Sequence, residues 1–214
     1  MEEIYTTTDQ EKINFLKNRA IRCYTKYGEE FHHVRQLLDV RLNQLAAVYT
    51  LQHSLPRESV RVFTRVKTLQ SSLKKLESTQ WPDFYLLSEA VTDLIGARVI
   101  CWFQNDCYGI LKLIQASKKF HLKPDSFKDY IQDPKSSGYR SIHLTTSISY
   151  ERIIRNKTKS ALGDDNMDCE IQILTKIQDV FGDLTHEFHY KDGNDVSKRL
   201  TGIERILSEQ AARL

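Results

Sequence analysis

The sequence contains no apolar run near the roughly 20 residues that a membrane-crossing helix needs, so no bilayer-spanning segment is expected. Its first residues, Met1-Glu-Glu-Ile-Tyr-Thr-Thr-Thr-Asp9, have neither the basic opening nor the apolar stretch of a secretory signal. Only four cysteines occur in 214 residues (Cys23, Cys101, Cys107 and Cys169), and no two form a Cys-x-x-Cys pair. That spacing argues against a zinc site and predicts reduced thiols in a cytoplasmic protein. Glycine-rich phosphate loops are also missing, since neither Gly-x-x-x-x-Gly-Lys nor Gly-x-Gly-x-x-Gly is present. No internal repeat, low-complexity tract or compositional boundary marks a second domain.

What remains has the make-up of one ordinary globular domain. Hydrophobic residues at 40% and charged residues at 28% are enough for a full core with a solvated surface. A net charge of +3 is too small to imply a partner. Its distribution says more. Residues 61–75 hold Arg61, Arg65, Lys67, Lys74 and Lys75 with no acidic residue, and residues 112–128 hold Lys112, Lys118, Lys119, Lys123 and Lys128 against only Asp125. Such local fields attract polyanions, although a solvated basic helix face explains either run alone equally well.

Helical spacing runs from about Thr8 to Leu51 through Ile13, Leu16 and Ala20, then Phe31, Val34, Leu38, Leu42, Leu45 and Val48. Gly28 is expected to separate two helices there, and Pro56 to close the segment. Short helices are expected over 68–76 and ending near 88–92, and longer ones over 106–118 and 175–190. Three segments read as strands: 97–103, 139–149 and 168–174, with a turn at Gly163-Asp-Asp-Asn166 between the last two. The tail carries Val196, Leu200, Ile203, Leu207 and Leu214, an amphipathic stripe that needs either the core or a second copy of the chain. The fold class is therefore α+β: a small mixed β-sheet flanked by N- and C-terminal helices.

One stretch carries chemistry, Asp129-Tyr-Ile-Gln-Asp-Pro-Lys-Ser-Ser-Gly-Tyr-Arg-Ser-Ile-His143. Pro134 and Gly138 mark a turn, and strand alternation then puts Tyr139 and His143 on one face and Ile142 and Leu144 on the other. A flat ring beside a hydrogen-bonding imidazole suits a nucleobase. Asp93 stands just before the 97–103 strand, and Glu170 lies on the outward face of the 168–174 strand. Two carboxylates with no dedicated metal cage suit Mg²⁺, which keeps waters and takes its remaining ligands from phosphates. Glu170 is equally suited to act as a general base toward a hydroxyl. Arg65-Val-Lys67 and Ser71-x-x-x-Lys75 offer side-chain contacts to phosphates, and the planes of Arg65 and Arg98 can stack on a purine.

Four segments, Arg65-Val-Lys-Thr-Leu-Gln-Ser-Ser-Leu-Lys-Lys-Leu76, Asp93-Leu-Ile-Gly-Ala-Arg-Val-Ile100, Gly138-Tyr-Arg-Ser-Ile-His143 and Glu170-Ile-Gln-Ile173, together resemble the motifs of RelA/SpoT-type alarmone synthetases, in the family's order. The resemblance covers roughly residues 60–190, and the length resembles the small, single-domain members. It implies a nucleotidyltransferase-like synthetase domain over the whole of 1–214, with N-terminal helices over 1–56, a catalytic core over 57–191 and a C-terminal helix over 192–214. It also implies a pyrophosphokinase that moves the β,γ-diphosphate of ATP to the 3′-hydroxyl of GDP or GTP. By motif position Arg65 and Arg98 would sandwich the adenine, with Lys67, Ser71 and Lys75 on the ATP phosphates. Asp93 and Glu170 would hold Mg²⁺, with Glu170 also drawing the 3′-hydroxyl proton. Tyr139 would stack on the acceptor base, with His143, Lys135, Gln172 and His186 on the acceptor side.

Two positions depart from the family pattern. Leu174 stands where an arginine usually follows the Glu-x-Gln, and Thr185 precedes His186 where small synthetases often have glutamate. These departures keep an alternative acceptor open, either the 3′ end of tRNA or an adenine nucleotide. No His-Asp dipeptide is present, which argues against the hydrolase of the long relatives. The 192–214 stripe is a candidate homo-oligomer contact.

Overall fold

A computed structural model describes residues 7–135, 139–155 and 160–189. The first element is one continuous helix, α1 (Thr7–Gln52), rather than the expected two. A single mid-helix glycine costs only about 1 kcal/mol, and the apolar stripe runs past Gly28 without interruption. Ile13, Leu16, Ala20, Phe31, Val34, Leu38, Leu42, Ala46 and Tyr49 are buried along it, and Tyr24 and Tyr27 pack on the core in the interval around Gly28. Tertiary contact therefore outweighs the local break signal.

The chain turns at Ser54, which has φ 53°, and enters the sheet as β1 (Val60–Val66). This strand was not among those expected, because its basic residues read as a helix face. Its alternation of Val60, Val62, Thr64 and Val66 with Arg61, Phe63 and Arg65 is nevertheless that of a half-buried strand. The order then runs α2 (Leu69–Ser78), α3 (Leu87–Ala90), β2 (Ile95–Cys101), α4 (Gln104–Ala116), β3 (His121–Leu122), β4 (Lys128–Asp129), β5 (Ile142–Arg155), β6 (Ser160–Thr175) and α5 (Lys176–His189). The sheet order is β1-β2-β6-β5-β3, with β4 also paired to β5. Among the described strands only β2 and β6 run parallel. This is the mixed α+β sheet that the sequence predicts.

The expected turn at Gly163–Asn166 is instead strand: Gly163 pairs with Arg152 and Asn166 with Ser149 inside the β5–β6 hairpin. Among the described residues this part of the hairpin pairs with no other strand, so polar residues mark solvent there rather than a change of direction. Ser149 donates to Asn166 at 2.7 Å, and Arg152 pairs with Asp165 at 3.0 Å. The C-terminal helix expected over 192–214 lies outside the described residues.

One face of the sheet meets α1 and α4. Ile95, Ala97, Val99, Ile142, Leu144, Ile148, Cys169, Ile171 and Ile173 are buried there, each large one worth roughly 1.5–3 kcal/mol. Arg35 donates to Thr64 at 3.0 Å, and Thr64 donates to Asp39 at 2.9 Å, which fixes β1 to α1. No described helix is long and apolar enough to cross a membrane. The opposite face of the sheet carries the charge.

Candidate active site

The strand register sets the site out in rows. Phe63, Arg98, Gln172 and His143 are successive cross-strand partners, and so are Arg65, Gly96, Glu170 and Thr145. Neighbouring strands are about 4.8 Å apart, so residues as distant in sequence as Arg98 and Gln172 become side-by-side neighbours. Gly96 matters because it adjoins Glu170: a Cβ there would meet nothing within 4 Å, so the space beside the carboxylate is open. A cavity of about 450 Å³ lies over these rows, lined by Phe63, Arg65, Asp93, Arg98, Glu170, Gln172 and Asp179 among others.

Asp93 and Glu170 thus face one cavity, as the sequence predicts. Lys67 follows β1 and Asp93 precedes β2, and the amide of Lys67 donates to the carbonyl of Leu94 at 2.8 Å, which pins the two segments together. The Lys67 ammonium then reaches Asp93 Oδ2 at 2.6 Å, and Arg65 lies 4.0 Å from the same oxygen.

Glu170 is oriented from the other side. His143 Nδ1 is 3.0 Å from Glu170 Oε1, and His143 Nε2 is 3.1 Å from the Tyr139 hydroxyl. An ionised carboxylate only accepts, so Nδ1–H donates to Glu170, and the ring's other nitrogen shares a hydrogen bond with the Tyr139 hydroxyl. The His143 hydrogen bond holds the Glu170 carboxyl below its usual range; burial opposes this, and the His143 charge, Gln172 and Lys67 reinforce it. Burial pushes the Tyr139 phenol up, which keeps it a hydrogen donor. Lys135 Nζ sits 5.3 Å from the Tyr139 ring centre and 4.6 Å from that of Tyr130.

Not every expected residue joins this group. Ser71 and Lys75 are exposed on α2 and do not line the cavity. Ser71 is engaged with the helix cap, its amide bonding Thr68 Oγ1 at 3.1 Å. His186 lies on α5. Leu174, in the position of the usual arginine, is only 1% exposed where α5 lies on β6.

Three cavity or ring partners escaped the sequence reading. Phe63, 54% exposed, lines the cavity from the unrecognised β1. Tyr130 stacks edge-on to His143 at 5.3 Å; it stands inside the stretch already singled out, and only its ring contacts distinguish it. Asp179, from the first turn of α5, pairs with Arg98 at 2.6 Å. Nothing in the spacing of Asp179 from Arg98 signals that contact.

The donor set fits a hard divalent cation. Asp93 and Glu170 face one cavity, and the positive charge of Lys67 bonds the first and is felt by the second. Among the described residues no group of three or more His, Cys, Asp and Glu side chains gathers as a metal cage, so such an ion would take its other ligands from water and phosphate.

Comparison with known proteins agrees with this geometry. Residues 64–195 match the family model described as the region found in RelA / SpoT proteins. The GTP pyrophosphokinase YwaC of Bacillus subtilis is 32% identical over 77% of this chain and 73% of its own length. A second protein of that organism, GTP pyrophosphokinase YjbM, is 28% identical over 83% of this chain and 78% of its own length. Among solved structures, the small alarmone synthetase 1 from B. subtilis bound to its product pppGpp superimposes with TM-score 0.67 at 25% identity, over 89% of this chain and 91% of the other. A GTP pyrophosphokinase family protein from Streptococcus pneumoniae shares the fold at TM-score 0.71 and 22% identity, over 89% of each chain.

Proposed function

Because this chain belongs to the RelA/SpoT family, we propose that it is a (p)ppGpp synthetase, transferring the β,γ-diphosphate of ATP to the 3′-hydroxyl of GDP or GTP. The observation that carries this reading is the order of the strands. Arg65 and Arg98 stand on β1 and β2, His143 on β5 and Glu170 on β6 between them, so the general base lies between a cationic donor side and an aromatic acceptor side.

On this reading Arg65 and Arg98 grip the adenine. They are diagonal neighbours across β1 and β2, a spacing of roughly 7–8 Å that leaves room for one flat ring between two guanidinium planes. Lys67 reaches the donor phosphates from beside Asp93, and Ser71 and Lys75 extend that contact along α2. Tyr139 faces the acceptor base, with Lys135, Gln172 and His186 assigned to the same side. His143 keeps Glu170 ionised and aimed at the cavity. Glu170 takes the 3′-hydroxyl proton as the oxygen attacks the β-phosphorus; the bond from that phosphorus to the α,β-bridging oxygen breaks and AMP leaves. Mg²⁺ held by Asp93 and Glu170 would neutralise charge on the triphosphate. Most of the remaining rate comes from positioning.

Residues 57–191 form the catalytic core in this account, with α1 as its scaffold. The reaction belongs in the cytoplasm, where ATP is abundant and the four free cysteines stay reduced. The test is to offer γ-labelled ATP with GDP, GTP, ATP, AMP and tRNA in parallel. Label on GDP or GTP with stoichiometric AMP supports the reading; label on tRNA or an adenine nucleotide replaces the acceptor, and no AMP under any condition removes it.

A further inference from the structure

The two arginines assigned to the donor purine are held very differently. Arg65 is 71% exposed and approaches Asp93 only at 4.0 Å. Arg98 is 39% exposed, and its Nη1 donates to Asp179 Oδ1 at 2.6 Å, with the Asp179 side chain only 18% exposed. One guanidinium is largely exposed, and the other is partly buried and tied by a short charged hydrogen bond. We propose that Asp179 is a positioning residue for the donor nucleotide, holding the plane of Arg98 in the orientation that receives the purine; this rests on the synthetase reading above.

The fold supports this role. Asp179 lies in the first turn of α5, and α5 packs on β6 and β2. Leu174 on β6 and Phe181 on α5 are buried, at 1% and 5% exposed, and Thr175 and Gln178 cap the helix reciprocally: the Thr175 amide donates to Gln178 Oε1 at 2.8 Å and the Gln178 amide to Thr175 Oγ1 at 3.3 Å. Asp179 is therefore delivered to the cavity wall by a helix end fixed in place. A short charge-assisted bond to a guanidinium is directional as well as strong. It removes rotamer freedom that Arg98 would otherwise lose when nucleotide binds.

The competing role is purely structural, an acidic residue favoured at a helix N-terminus. Kinetics separate the two. Asp179→Asn is expected to raise the KM for ATP about tenfold, with kcat changed less than about threefold and the KM for GDP within about twofold. Asp179→Glu should recover most of the loss. In a double-mutant cycle Asp179→Ala and Arg98→Ala should be non-additive, the second substitution adding little once the first is made. An unchanged KM for ATP in Asp179→Asn, equal rises for ATP and GDP, or additive effects with Arg98→Ala would overturn the proposal. A wild-type protein that forms no AMP from ATP and GDP would instead overturn the synthetase reading, so the two failures are distinguishable.

Discussion

Lys67 and Asp93 form a 2.6 Å ion pair at the point where β1 leaves the sheet and β2 enters it. The Lys67 side chain is only 13% exposed, and its charge is also felt by Glu170. This one ammonium therefore links the two carboxylates of the site before any nucleotide arrives. Lys67→Met should lower kcat/KM for ATP by about 100-fold or more, because it removes both a phosphate contact and the charge that balances Asp93. Steady-state kinetics over ATP concentration check this; a loss under about threefold would remove Lys67 from the donor side.

The His143–Glu170 hydrogen bond gives a pH prediction. A carboxyl whose folded pKa is depressed contributes stability above its ordinary range, and that contribution is lost as pH falls through the lowered value. Glu170 is such a group, so wild-type activity should persist to lower pH than an unassisted carboxylate base allows. In His143→Ala, burial is left opposed only by Gln172 and Lys67, and the carboxyl rises. The acid limb of the kcat/KM–pH profile should then move to higher pH. An unmoved limb would show that His143 does not set the charge of Glu170.

Restoring the family's arginine at Leu174 should harm the protein. The position is buried, and a guanidinium there has to be desolvated or has to displace its neighbours. Leu174→Arg is expected to cost about 2–4 kcal/mol, read as a fall in denaturant midpoint, without a gain in activity. Wild-type stability with a lowered KM would mean that the site accepts the charge after all.

The continuity of α1 is testable through Gly28. A Cβ there would meet nothing within 4 Å, so Gly28→Ala should stabilise the protein by about 0.5–1 kcal/mol through helix propensity and the unfolded chain. Destabilisation of that size would indicate two helices joined at a glycine.

Much of the site was legible in the sequence because phosphoryl chemistry restricts which residue types can serve. Asp93, Glu170, Arg65, Arg98, Tyr139 and His143 are motif members; the strand register brings Arg65, Arg98, His143 and Glu170 to one face, where Asp93 lines the same cavity as Glu170 and Tyr139 meets His143. Contacts made from outside the motifs were not legible. Asp179 reaches Arg98 from a different element, across a spacing that only the packing of α5 determines. β1 was not legible because the charges of Arg61 and Arg65 mask the alternating Val60, Val62 and Val66 around them. The Gly163–Asn166 turn and the Gly28 break were misread for a related reason. Local punctuation is a weak signal, and here a hairpin partner and an unbroken apolar stripe override it.

The central claim is that Glu170, between donor and acceptor sides, removes the proton from the attacking hydroxyl. Its most direct test is the rate of AMP formation from ATP and GDP under single-turnover conditions, wild type against Glu170→Gln. The account predicts a fall of at least about 100-fold with ATP still bound; a rate near that of wild type would contradict it.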